Sequence, residues 1–100
     1  MQNLRVGTYT GTGAAINIQL GFVPDAVLIF NQTDSDIIGI WFNGMTDGTS
    51  IDIAAAVAAN TDNGISDYLG TEGGNKAGFT AGTDFSENAK VYRYLAFRNP

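Results

Sequence analysis

The stretch Gly21-Phe22-Val23-Pro24-Asp25-Ala26-Val27-Leu28-Ile29-Phe30 decides the fold class. From Ala26 onward it is an unbroken apolar run in which Val and Ile alternate with Ala, Leu and Phe, so a strand here has two apolar faces and is expected to be buried on both. That reads as a central strand. Pro24 has no amide hydrogen to give a ladder and Asp25 is a poor strand former, so pairing is expected to begin just after them.

Working outward, turn signals rich in Gly, Asn, Asp and Thr recur about every ten residues, the spacing of an all-β sandwich or barrel. We expect a single-domain antiparallel β-sandwich, jelly-roll-like, of seven to eight strands over residues 1–100. Upstream, Leu4 to Thr10 alternates and Ala15 to Leu20 places Ile16, Ile18 and Leu20 on one side. With Gly11-Thr12-Gly13 between them, these two segments predict a hairpin. Downstream, Ile37 to Asn43 puts Ile38, Ile40 and Phe42 on one face and Ile37, Gly39 and Trp41 on the other. Ile51 to Ala59 alternates as a strand does, while five alanines behind Ser50 suit a short helix; the strand is preferred. Asn60 to Gly64 reads as a turn, Ile65 to Leu69 as a short strand and Gly70 to Gly78 as a loop. Phe79-Thr80-Ala81 starts another strand, Phe85 to Lys90 is a polar turn, and Val91 to Arg98 is a second strong strand with Tyr92, Tyr94 and Ala96 opposite Val91, Leu95 and Phe97.

Composition narrows the chemistry. With no His and no Cys, the usual general bases, thiol nucleophiles, imidazole ligands and disulfides are missing, and the acids sit almost entirely in turn-like segments. No catalytic residue, no metal site and no cofactor is expected. Asp34-Ser35-Asp36 and Asp62-Asn63 offer oxygens to a calcium ion, yet neither matches a complete calcium loop, and Asx turns explain both. A net charge of -5 with only five basic residues argues against a nucleic-acid partner. No apolar run approaches a membrane span and no signal peptide is evident, so synthesis in a cytosol without a membrane partner is expected. Trp41, Tyr9, Tyr68, Tyr92 and Tyr94 serve either as core or as a stacking platform for carbohydrate or protein.

Four separated pieces line up as a pattern. Val6-Gly7-Thr8-Tyr9-Thr10-Gly11-Thr12-Gly13 is followed by Gly21-Phe22-Val23-Pro24-Asp25-Ala26-Val27, then by Gly78-Phe79-Thr80-Ala81-Gly82-Thr83-Asp84, and last by Tyr92-Arg93-Tyr94-Leu95-Ala96-Phe97. This text resembles the small β-sandwich modules of tailed-bacteriophage virion proteins, while residues 44–74 depart from the pattern. The resemblance implies a virion structural protein made in the host bacterial cytoplasm. Within that class the expectation is a capsid decoration, or cement, protein that bridges major capsid subunits on the outer head surface as a homo-oligomer, a trimer being favoured. The alternative is a receptor- or carbohydrate-binding module, or another structural subunit, of the tail. Contact residues expected on this reading are the N-terminal arm Met1, Gln2, Asn3, Leu4 and Arg5, together with Trp41 and the loop residues Met45, Thr46 and Asp47.

Overall fold

A computed structural model of the chain describes residues 3–70 and 77–99, and in it strand pairing begins at Ala26, directly after Pro24-Asp25. Eight strands run in the order β1 (Leu4–Thr10), β2 (Ile16–Gln19), β3 (Ala26–Asn31), β4 (Ile38–Phe42), β5 (Thr49–Ile53), β6 (Val57–Tyr68), β7 (Gly78–Ala81) and β8 (Val91–Phe97). A single 3-10 turn, Thr83–Phe85, lies between the last two. Every pairing is antiparallel, and the eight strands form one sheet ordered β1-β8-β3-β4-β5-β6-β7-β2. The all-β expectation holds. The two layers, however, are flanks of one curled sheet.

The curl is made at β6. Its first residues pair with β5 and its last with β7, with a register shift at Thr49/Ser50 and Asn63 held at a φ of 59°. An irregularity of this kind bends a strand and increases its twist. The flanks are thereby brought face to face: the Phe79 ring of β7 meets the Tyr94 ring of β8 edge-on, at 5.4 Å between centroids. At the open side Arg5 of β1 donates to the Leu20 carbonyl just beyond β2, at 3.0 Å, so a side chain spans the two edge strands.

Between the flanks lies an aromatic core. Trp41, Tyr92, Phe79, Phe85, Ile29, Ile65 and Val27 are all fully buried. Burying each such side chain stabilises the fold by about 1.5–3 kcal/mol before entropy is charged against it. Glycines make the space for the rings. A methyl on Gly39 of β4 would lie inside the Phe85 ring, and one on Gly7 of β1 would come within 2.7 Å of the Tyr94 hydroxyl. Tyr9 stacks on Tyr92 at 5.2 Å and donates to the Phe85 carbonyl at 2.8 Å, while Tyr92 Oη accepts the Glu87 amide at 3.1 Å. Burial, then the neighbouring Tyr92 phenol, push Tyr9 well above its ordinary value.

Several expectations are corrected. β1 and β2 do not form a hairpin but are the two outer edges, pairing β8 and β7. The reason lies in their connector: Gly11 and Gly13 donate to the carbonyls of Lys90 and Ser86, which carries the chain across the mouth of the core. The segment Ile51 to Ala59 is extended, as preferred, but breaks at Ala54–Ala56 into β5 and β6. Asn60 to Gly64, read as a turn, runs inside β6. Phe85, assigned to a polar turn, is buried because the 3-10 turn aims it at Gly39. β3 is central, yet only one of its faces is buried, for Leu28 is 39% exposed. The loop expected over Gly70 to Gly78 lies, at 71–76, outside the described residues.

One buried polar residue fixes the turn after β3. Asn31 Oδ1 accepts the Asp34 amide at 2.9 Å, and its Nδ2 donates to the carboxylates of Asp34 and Glu87 at 3.3 and 3.4 Å. Asn31→Ala orphans these groups and is expected to cost about 1–3 kcal/mol in urea unfolding. Gly39→Ala overpacks Phe85 and is expected to cost about 1–3 kcal/mol by the same measurement.

Candidate assembly surface

In an antiparallel sheet directly paired residues share a face, so the register identifies every side chain on the outer side. A first row crosses four strands as Leu4, Phe97, Ala26 and Phe42. A second crosses five as Val6, Leu95, Leu28, Ile40 and Ile51. The third reads Thr8, Arg93, Phe30, Ile38, Ile53 and Val57. The result is a continuous apolar face on the side of β1-β8-β3-β4-β5 away from the core.

None of the described residues covers this face. Among the described residues, nine large apolar side chains are exposed, and eight of them stand on these three rows, between 37% and 69% exposed; only Leu69 lies elsewhere. Arg93 is the one ionisable residue on the rows, and its Nε donates to the Gln32 side chain. The opposite parity carries Gly39, Trp41, Val27, Ile29, Tyr92, Tyr94 and Ala96, which are buried. The strands are thus apolar on both sides, while the described residues supply a core for one.

The residues expected to make contacts separate. Met1 and Gln2 lie outside the described residues. Asn3 is half-buried and its carbonyl accepts the Arg98 amide at 2.8 Å; Leu4 stands on the first outer row. Arg5 points inward to Leu20. Trp41 is corrected from a contact to a core residue, 1% exposed, because the Gly39/Trp41 face of β4 is the inner one. Met45 packs against the core, and its Sδ receives the Phe42 amide at 3.2 Å. Thr46 and Asp47 are exposed, and the Thr46 carbonyl accepts both the amide and the hydroxyl of Thr49. The loop follows directly from Phe42, so Thr46 and Asp47 extend from the same end of the sheet as Asn3 and Leu4.

Sequence reading missed Val6, Leu28, Phe42, Ile53, Val57, Leu95 and Phe97 as a surface. The signal was present as apolar residues on both parities of neighbouring strands. Of the two roles open to the aromatic residues, Trp41, Tyr92 and Tyr94 take the core one, being buried, and Tyr9 is stacked on Tyr92. The two calcium candidates are engaged as turns: Asp34 pairs with Lys90 at 3.1 Å, and Asp62 Oδ1 accepts the Asn63 amide at 3.0 Å. An open groove of about 370 Å³ is lined by Asp36, Ile37, Ala54, Thr83, Asp84 and Glu87. Two of its carboxylates are bound from within the chain, Asp84 by the Asn60 amide and Glu87 by that of Asn31. The basic residues at this end of the chain are engaged too: Arg93 of β8 by Gln32, and Arg98, just beyond β8, over the Phe22 ring, 4.9 Å from its centroid.

With the geometry in view, comparison of the chain with family models, curated proteins and solved structures returned no match.

One electrostatic feature sits beside the 44–48 loop. Partial burial, then the charge of Asp47 and a hydrogen bond with it, raise the Asp67 carboxyl above its ordinary 3.8. The folded chain therefore holds this proton more tightly than the unfolded chain. The associated stability is fully present below 3.8 and is lost as pH rises through the raised folded value. Asp67→Asn removes that loss. The variant is expected to melt above the parent near neutrality and level with it at acidic pH, by circular dichroism at the two pH values.

Proposed function

We propose that this chain is a structural subunit of a tailed-phage virion and, within that class, a decoration protein of the outer head surface. The observation that carries an assembly role is the apolar outer sheet face. Monomers rarely leave contiguous apolar patches of more than a few hundred Å² exposed, and larger ones mark interaction sites. The four motif segments quoted above support the virion class, and each has a place in this fold. Gly7 admits Tyr94, Phe22 and Pro24 are buried ahead of β3, Phe79 meets Tyr94, and the alternation of Tyr92, Tyr94 and Ala96 is the inner parity of β8.

Stabilisation of a shell by such a protein is mass action. A ligand that binds the assembled shell and not its dissociated subunits stabilises the shell by its differential affinity, and several linked copies multiply the effect. The polar end of the sheet, with Asn3, Thr46 and Asp47, is the surface we assign to the capsid. Thr46 and Asp47 are exposed and Asn3 is half-buried, the surface comes from two separate segments, and it lies off the apolar face.

Deleting the coding sequence from the phage that carries it tests the reading. Heads lacking the chain are expected to disassemble at lower temperature and lower salt stress than complete heads, and tagged chain is expected on the head surface in electron micrographs. Tag on the tail, or heads of unchanged stability, overturns it.

A further inference from the structure

We propose that the apolar outer face of β1-β8-β3-β4-β5 is covered by the same face of a second copy of this chain. The inference rests on the sheet alone and stands whether or not the chain belongs to a virion.

Four observations select a second copy over another partner. The first is composition. Interfaces between non-obligate partners are about as apolar as ordinary surface, whereas homo-oligomer interfaces resemble a core cut in half. Rows one and two hold no polar side chain at all. The second is area. The exposed fractions of the eight side chains amount to roughly 700 Å², close to the ~800 Å² each partner contributes to a standard stable interface. The third is charge. Two copies at -5 each repel, and no carboxylate stands on the three rows, so this is the side on which they can meet without opposing acids. Arg93 is the one charge on the rows, too little to steer an oppositely charged partner.

The fourth observation is shape. Rows spaced by the pleat, bearing Phe97 and Phe42 at one end and Val6, Leu95 and Leu28 in the middle, form the kind of surface that packs on another sheet at about 10 Å. An isologous contact makes one self-complementary patch serve both copies. Arg93, in the third row, is held sideways by Gln32 and leaves the first two rows clear.

Sedimentation equilibrium of the full chain across a concentration series tests the proposal. The parent is expected to sediment at a multiple of its 10.5 kDa mass at micromolar concentration. Leu28→Glu with Leu95→Glu is expected to sediment as the single chain while keeping the blue-shifted emission of buried Trp41. Leu69→Glu, at an exposed apolar residue off the face, is expected to leave the assembly intact. Should the double variant fail to fold, the absence of native cysteine allows a second reading. A thiol reagent is expected to modify Val6→Cys at least tenfold more slowly than Leu69→Cys in the assembled parent background. A parent that is monomeric at every concentration overturns the proposal. So does a folded Leu28→Glu/Leu95→Glu variant that stays assembled, equal thiol reactivity at the two positions, or protection of Val6→Cys only when a different protein is added.

Discussion

A β-sheet has two faces, and the described residues of this chain lay eight strands into one sheet, with no helix or second sheet among them to cover the outer one. The curl at β6 resolves half of the difficulty by folding the sheet over on itself, so that β7 and β2 become the lid on the inner side of β8, β3 and β4. Nothing in the described chain performs the same service outside. The apolar rows of β1, β8, β3, β4 and β5 therefore follow from the topology as much as from the residues that occupy them.

The inner face is specified with care that the outer one lacks. Rings are admitted by missing side chains, Phe85 at Gly39 and Tyr94 at Gly7, and their polar ends are satisfied locally, as Tyr9 is by the Phe85 carbonyl and Tyr92 by the Glu87 amide. Close packing and paired polar groups give a single well-ordered state rather than generic collapse. The indole N–H of Trp41 is the one buried side-chain polar atom left without a partner among the described residues. A rigid inner face matters for the outer one, because the rows keep their register only while the strands beneath them do.

Much of this was legible from alternation. β1, β3, β4, β7 and β8 lie within a residue or two of where period-two patterning and the Pro24-Asp25 boundary place them. Pairing was less legible, because local text does not encode a partner. The Gly11–Gly13 connector reads as a hairpin turn, yet its amides are taken by the 86–90 segment, a tertiary contact no window of sequence contains. The site was misread for a related reason. Trp41 stood out as a large amphipathic ring, whereas Leu28 and Leu95 looked like ordinary core. Parity alone cannot say which of two apolar faces is inward. Here the glycines decide it: Gly39 and Gly7 lie on the parity that must admit rings, and the face on which Leu, Val, Ile and Phe predominate and no glycine stands is the one left outside.

The self-association and the attachment to a larger shell proposed above make different demands on a surface, and the two surfaces proposed for them are separate. An interface that must form between equally acidic copies needs an area free of carboxylates, which the three rows provide. A surface that must grip a partner of another kind needs polar groups to set orientation, since burial alone is non-directional. Thr46 and Asp47 extend from the loop after Phe42, and Asn3 lies just ahead of Leu4, so both polar segments adjoin the first row without interrupting it. Copies packed on their sheet faces about an axis along the strands would present these ends on one side. Each copy would then add its contacts to those of its neighbour at high effective concentration, and weak polar contacts on a small chain would sum to a durable hold on an assembled surface.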